Sequence, residues 1–424
     1  MPLLKSWVES ANAPNGQFPL NNLPYGVFST SGDARRCGVA IGDQILDVTA
    51  LEQDAHLSIS DDPVFVASSW NAFMALGPEV WRSFRARLQA MLGTEASQAD
   101  REACSGALVP QADATMHLPV ETRGYADFYG CRNHAFNVGT MFRGPDNALP
   151  PNYLHLPIAY SGRASSIVIS GTEIRRPWGQ LKAPEEDAPR FAPCERFDFE
   201  LELGVIVGQP SEFGRPVSVA KADEMIFGYV LLNDWSARDI QTWEYQPLGP
   251  FQAKATANTI SPWIVTGLAL EPLRVSTPER EKPLLPHLQE PGPMLYDIDL
   301  EVLLLPDGAD HPTTITQSNY SEMYYSAPQN LAHHTTSGCP IEVGDMLGSG
   351  TISGTTRKSR GSLLELSWGG TEPVEIDGGI TRSFIEDNDT IIMRGSARGD
   401  GYLVGFGQCT GKVLAAYADP YSRD

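Results

Sequence analysis

The stretch FDFELELGVIVG, residues 197–208, places Phe197, Phe199, Leu201, Leu203, Val205 and Val207 on one face of an extended chain. Asp198, Glu200, Glu202 and Gly204 share the other face. Alternation over this length marks a strand with an apolar side for a core. Glu200 and Glu202 lie roughly 6–7 Å apart at the two-residue strand repeat, so their repulsion needs relief by solvent, a proton or a cation. On this strand alone a solvated acidic face is the weightier reading. The other is an oxygen-rich cluster for a hard cation such as Mg²⁺ or Ca²⁺.

Further β-like stretches surround it: SSIVIS, IFGYVLL, SPWIVTG, YDIDLEVLLL, SLLELSWGG and DTIIMRGS, set among loops drawing on 39 Gly and 33 Pro. The expectation is a mainly β protein with some α. Towards the amino terminus, residues 22–50 alternate short apolar runs with turn signals, the pattern of short antiparallel strands. Gly77-Pro78-Glu79 then reads as a helix start, followed by an apolar stripe of Val80, Trp81, Phe84, Leu88 and Met91. Residues 93–116 are small, polar and poorly periodic, as in a linker or surface crossing. Two domains are expected, residues 1–118 and residues 119–424. Residues 278–293 read as a long Pro-rich loop, and no internal repeat is visible.

Composition excludes several classes of function. The chain has 424 residues, with 31 Lys+Arg against 52 Asp+Glu, a formal charge of −21. That balance argues against a nucleic-acid binder or a protein bound to an anionic membrane, since both need clustered Lys and Arg. No apolar run approaches the ~18 residues of a membrane span, and the amino terminus lacks the apolar core of a signal peptide. A cytoplasmic location is expected. Six scattered cysteines without a CxxC suit a reduced compartment and small buried side chains.

Five further segments bear on the chemistry. IFGYVLLNDWSARDIQTWEY, residues 226–245, reads as a buried strand ending near Asn233 and then a helix. On that helix Asp234, Arg238, Gln241 and Tyr245 fall at i, i+4, i+7 and i+11 on one face, where a rigid strand end presents polar groups. GYADFYGCRNHAFNVGTMFRG, residues 124–144, projects Asp127 and Tyr129 alike and then offers His134 and Arg143. A histidine accepts protons near neutrality, although a lone one is more often structural. LGPFQAKATANTISPW sets Lys254 among small and apolar residues, where it can pair with a carboxylate or face developing negative charge. LGSGTISG, residues 347–354, meets neither the dinucleotide nor the Walker pattern and reads as a tight turn presenting Thr351 and backbone amides. In SLLELSWGG, Glu365 alternates with Leu364 and Leu366 and so faces away from them. No GxSxG elbow or HExxH is present, which leaves α/β-hydrolases and zincins without support.

Together with LPIAYSGRASSIVISGTEIRRP, TISPW and GDMLGSGTISG, these segments closely resemble the fumarylacetoacetate hydrolase family, in order and spacing, from about Pro19 to the carboxyl end. The resemblance implies a small SH3-like β amino-terminal domain, a mixed β-roll catalytic domain and a homodimer. It implies cleavage of 4-fumarylacetoacetate by water into fumarate and acetoacetate, the last step of tyrosine and phenylalanine breakdown. Position by position, it implies divalent-metal ligands at Asp127, Glu200, Glu202 and Asp234, with Lys254 beside them, and a Mg²⁺ or Ca²⁺ cofactor. It assigns the base to His134, oriented by Glu365, and charge stabilisation to Arg238, Gln241 and Lys254. Tyr129, Arg143, Tyr160, Gln241, Tyr245 and Thr351 match substrate contacts. Asn258 stands where the family generally has Thr, at a position linked to the metal shell, and an amide oxygen can replace the hydroxyl.

The residue types suit that chemistry. Breaking a carbon–carbon bond beside a carbonyl expels a carbanion, which is feasible when it leaves as an enolate next to a Lewis acid. A decarboxylase, hydratase or isomerase of another oxo-acid on the same fold is the nearest rival, and the His134–Glu365 pair favours hydrolysis because a decarboxylase need not activate water. A non-catalytic cation-binding protein is an answer of a different class, for which the acidic strand alone would suffice.

Overall fold

In a computed structural model, which describes residues 2–419 and 421, the acidic stretch becomes the strand Leu201–Val207, buried along its whole length. It pairs antiparallel with Ile226–Asp234 on one side and Met346–Gly348 on the other. The sheet runs in the order Ala159–Ser161, Tyr125–Phe128, Met346–Gly348, Leu201–Val207, Ile226–Asp234, Asn258–Ile260, Ile167–Ile169, with Val265–Thr266 joined to Ile226–Asp234. It is mixed: Met346–Gly348 with Tyr125–Phe128, and Asn258–Ile260 with Ile167–Ile169, are parallel pairs.

Both faces of this sheet are covered, which explains its nearly continuous apolar strands. Leu201, Leu203 and Val205 share a core with Leu300, Val302, Met393 and Phe406 of a second sheet. That sheet orders Thr313–Asn319, Asp299–Leu305, Thr390–Arg398, Leu403–Leu414 and Ile174–Arg175. Ile206, Val230 and Leu232 join another core with Val27, Val39, Trp70 and Phe84 of the amino-terminal part. The solvated acidic face expected from the strand alone is therefore overturned: Glu200 and Glu202 are only 4% and 0% exposed.

The amino-terminal part is a small SH3-like antiparallel sheet ordered Leu108–Pro110, Gln44–Asp47, Arg36–Ile41, Tyr25–Ser29, Thr115–His117. Helix Pro78–Leu92 starts after Gly77 and buries Trp81, Phe84, Leu88 and Met91 against it. Residues 93–116 are not a linker. They form helix Gln98–Gly106, capped by Ser97 accepting from the Asp100 N–H, and then two of the sheet's strands. That helix buries Cys104 alone, so it carries no apolar stripe to read. Residues 278–293 are a loop apart from one short turn, Pro286–Leu288. All six cysteines are unpaired, five of them buried. Among the described residues no helix is long and apolar enough to cross a membrane.

Candidate active site

Strand register brings the acidic side chains together. Asp127 pairs with Gly348, Gly348 pairs with Gly204 two residues beyond Glu202, and Asp234 ends its strand opposite Asn258. The Asp234 N–H donates to the Glu200 carbonyl at 3.3 Å. One carboxylate oxygen each from Asp127, Glu200, Glu202 and Asp234 thus falls within 4.8 Å of the others, and all four residues are buried. Room for them comes from Gly348, where a Cβ would collide with Asp127 Oδ1 and lie 3.0 Å from Glu202 Oε2.

Burial, reinforced by Asp127, Asp234 and Glu200, drives the Glu202 carboxyl far above its usual range. Burial also raises Asp234, against the pull of Lys254, and raises Asp127 in the same way. Glu200 is the exception: burial is outweighed by Lys254, Arg238 and His134, which hold it below the ordinary carboxylate range. Lys254 Nζ donates to Glu200 Oε2 and, at 2.6 Å, to Asp234 Oδ2. The Tyr160 hydroxyl lies 2.9 Å from Asp127 Oδ2 and 2.8 Å from Asp234 Oδ2. Asp127 Oδ1, Glu202 Oε1 and Asp234 Oδ1 remain buried without a protein donor. Unpaired carboxylate oxygens crowded among like charges fit a hard dication, which replaces the missing donors with its own charge.

His134 stands in helix Arg132–Arg143 with Nδ1 2.6 Å from Glu365 Oε2 and Nε2 3.8 Å from Glu200 Oε1. SLLELSWGG is not a strand: Ser362 caps a single helical turn, Leu363–Leu366, which aims Glu365 inward. Glu365 is 0% exposed yet held below its usual range, because burial is opposed by His134, Asn137 and Ser362. It accepts from Asn137 Nδ2 at 2.8 Å and from Ser353 Oγ and Ser362 Oγ at 2.9 Å. A carboxylate held this way accepts a hydrogen bond from the Nδ1–H of His134 and leaves Nε2 as the acceptor facing the carboxylates.

Asp234 does not lie on the helix with Arg238. The strand runs through Asp234, and the helix is Arg238–Glu244, so strand register rather than a shared helical face supplies Asp234. Arg238 directs Nε to Asp198 Oδ2 at 2.8 Å, Nη2 to Glu200 Oε1 at 2.8 Å and Nη1 to Gln241 Oε1 at 3.2 Å. Tyr129 sets its ring edge-on to His134 at 5.4 Å, and Thr351 is buried with Oγ1 unpaired. Tyr245 stacks on Phe142 at 6.4 Å. Arg143 is exposed at its helix end and donates to the carbonyls of Asn147 and Ala148 at 3.1 and 2.7 Å. Asn258 Oδ1 accepts from the Tyr125 hydroxyl at 3.1 Å, while its Nδ2 has no partner.

Several supporting groups had no sequence signal of their own: Asn137, Ser353 and Ser362 around Glu365, and Gly348 beneath the carboxylates. Asp198 is visible on the alternating acidic face and Arg238 on its helix, but nothing in the sequence pairs the two.

Residues 21–119 match the family model "Fumarylacetoacetase N-terminal", and residues 123–413 match "Fumarylacetoacetate (FAA) hydrolase C-terminal". The fumarylacetoacetase of Bos taurus is 50% identical over 411 residues, covering 95% of this chain and 98% of the relative. That of Homo sapiens is 49% identical over 410 residues, with 95% and 98% covered. The solved structure of fumarylacetoacetate hydrolase (EaFAH) from psychrophilic Exiguobacterium antarcticum shares the fold, with TM-score 0.52 at 16% identity over 93% of this chain and 99% of that one. With both of its parts matched and half its residues shared over nearly the full length, the chain belongs to the fumarylacetoacetate hydrolase family.

Proposed function

We infer that the chain hydrolyses 4-fumarylacetoacetate to fumarate and acetoacetate, a carbon–carbon bond cleavage that ends tyrosine breakdown. The observation that carries this is four converging carboxylates beside a His–Glu pair, in a chain half identical over almost its whole length to fumarylacetoacetases.

Asp127, Glu200, Glu202 and Asp234 would hold the cation, Mg²⁺ or Ca²⁺, since all four offer hard oxygen ligands. Once bound, it supplies Lewis-acid chemistry, drawing negative charge from the diketone oxygens. His134 Nε2 takes a proton from water, whose oxygen attacks the carbonyl on the fumaryl side. Glu365 keeps the imidazole in the right tautomer and offsets the charge it gains. Such general-base assistance is worth typically ~10²–10⁴ in rate. Arg238, Gln241 and Lys254 aim N–H donors at the negative charge that builds up. Loss of one such donor costs roughly 10²–10³. The proton held by His134 completes acetoacetate at carbon. Tyr129, Tyr160, Tyr245 and Thr351 line the substrate's path. Arg143 holds its terminal carboxylate after releasing the backbone carbonyls, a bidentate match for that planar anion.

The two domains divide between residues 118 and 119, a reading supported in outline by separate family matches on either side of residues 120–122. Unpaired cysteines favour the cytoplasm. A homodimer is favoured by exposed Phe142, Trp243, Leu248 and Phe251, apolar side chains that a second copy would cover. Loss of the conjugated-diketone absorbance on adding the protein, abolished by a chelator and restored by Mg²⁺, tests the reading. Persistence of that absorbance with metal present would refute it.

A further inference from the structure

We infer that Asp198 is a positioning residue that locks the base side and the cationic side of the site into one frame, an assignment that rests on the hydrolase reading. Asp198 is fully buried and spends both oxygens on four donors. Oδ1 accepts from the N–H of Phe199 at 2.9 Å and of Leu363 at 2.8 Å. Oδ2 accepts from the Leu364 N–H at 3.0 Å and from Arg238 Nε at 2.8 Å.

Two of these donors open the helical turn Leu363–Leu366, and that turn carries Glu365, the partner of His134. A third is the guanidinium of Arg238, whose other nitrogens reach Glu200 and Gln241. One carboxylate therefore spans the group that orients the imidazole and the group that faces the developing charge. The distance between them is set through Asp198, which touches neither substrate nor the reacting atoms. Asparagine keeps the shape but offers a single acceptor oxygen. Its NH₂ must then face one pair of donors, either the N–H groups of Phe199 and Leu363 or the Leu364 N–H and Arg238 Nε–H, donor against donor.

Asp198→Asn is therefore expected to let the two halves drift apart. A misplacement of ~1 Å costs on the order of 10²-fold in rate, so kcat should fall by about that factor. KM should stay within about twofold, because Tyr129, Tyr160 and Thr351 sit on elements that Asp198 does not touch. The discriminating readout is a pair of double-variant cycles, one with Arg238→Lys and one with Glu365→Gln. Because Asp198 acts through both partners, the combined losses should be smaller than the product of the single ones. Asp198→Glu, which keeps the charge but displaces it by one methylene, should also lose kcat at nearly constant KM.

Parental kcat in Asp198→Asn, or fully multiplicative losses in both cycles, would overturn the assignment. Collapse of the fold in both the Asn and Glu variants would also overturn it, leaving Asp198 a scaffold residue only. Absence of turnover in the parent enzyme is a separate result: it removes the hydrolase reading itself, and this assignment with it.

Discussion

A methyl group at position 348 would occupy the space into which Asp127 Oδ1 and Glu202 Oε2 project, so the glycine there is as much a part of the proposed cation site as the acids. Backbone cannot retreat from a clash inside a sheet paired on both sides. The carboxylates must move instead. Gly348→Ala is expected to weaken Mg²⁺ binding by at least about tenfold by titration calorimetry, a loss of ~1.4 kcal/mol, with circular dichroism unchanged. Affinity equal to the parent's would show that the acids tolerate displacement. His134 makes the opposite prediction. Its Nε2 stands 3.8 Å from Glu200 and is not needed to hold the acids together. His134→Ala should cut turnover by about 10²–10⁴ while calorimetric Mg²⁺ affinity stays close to the parent's. Turnover at the parental rate would remove His134 as the base. The acids and the histidine were legible because their residue types and local alternation carry information. The donors that hold Glu365 were not, since Asn137 lies 228 residues from it along the chain and nothing local marks the pair.

At the scale of elements, helix Pro78–Leu92 was readable from its start signal and stripe. The same stripe predicts where the molecule is vulnerable. Phe84 is 2% exposed and lies 4.8 Å from the Phe73 ring and 5.5 Å from the Phe65 ring. That cluster also packs on Phe227 and Val230 of the catalytic sheet. Phe84→Ala should cost about 3–5 kcal/mol of stability, seen as a lower urea midpoint, while kcat of the folded fraction is unchanged. A midpoint unmoved by the substitution would mean that the amino-terminal core is uncoupled from the rest. Elements without a long apolar period were the ones misread. Gln98–Gly106 buries one side chain, and Leu363–Leu366 is too short to show a helical repeat, so its Leu-Leu-Glu-Leu pattern imitates a strand. The boundary at Asp234 was missed because a strand end and a helix start satisfy the same polar spacing until register with Asn258 decides between them.

For the whole molecule, the decisive balance is between buried carboxylates of opposite tendency. Burial and like charge raise Asp127, Glu202 and Asp234 in the fold. A raised folded pKa means that the native state binds more protons than the unfolded chain, so this contribution is present at low pH. It is lost as pH climbs from the ordinary carboxylate range through the raised values. Glu365, held low by His134 and its other donors against the effect of burial, contributes above the unfolded carboxylate range and loses that contribution as pH falls. Without a cation, stability should therefore decline on the alkaline side. A bound dication replaces the protons there, and at a free concentration of 100 times its Kd it adds about 2.7 kcal/mol. The rise in melting temperature on adding Mg²⁺ to chelator-treated protein should accordingly be larger at pH 8 than at pH 5, where protons compete for the same oxygens. Thermal unfolding followed by scanning fluorimetry across that range reads the effect directly. A Mg²⁺-induced shift that is equal at both ends would mean that the four carboxylates are not the groups the cation relieves.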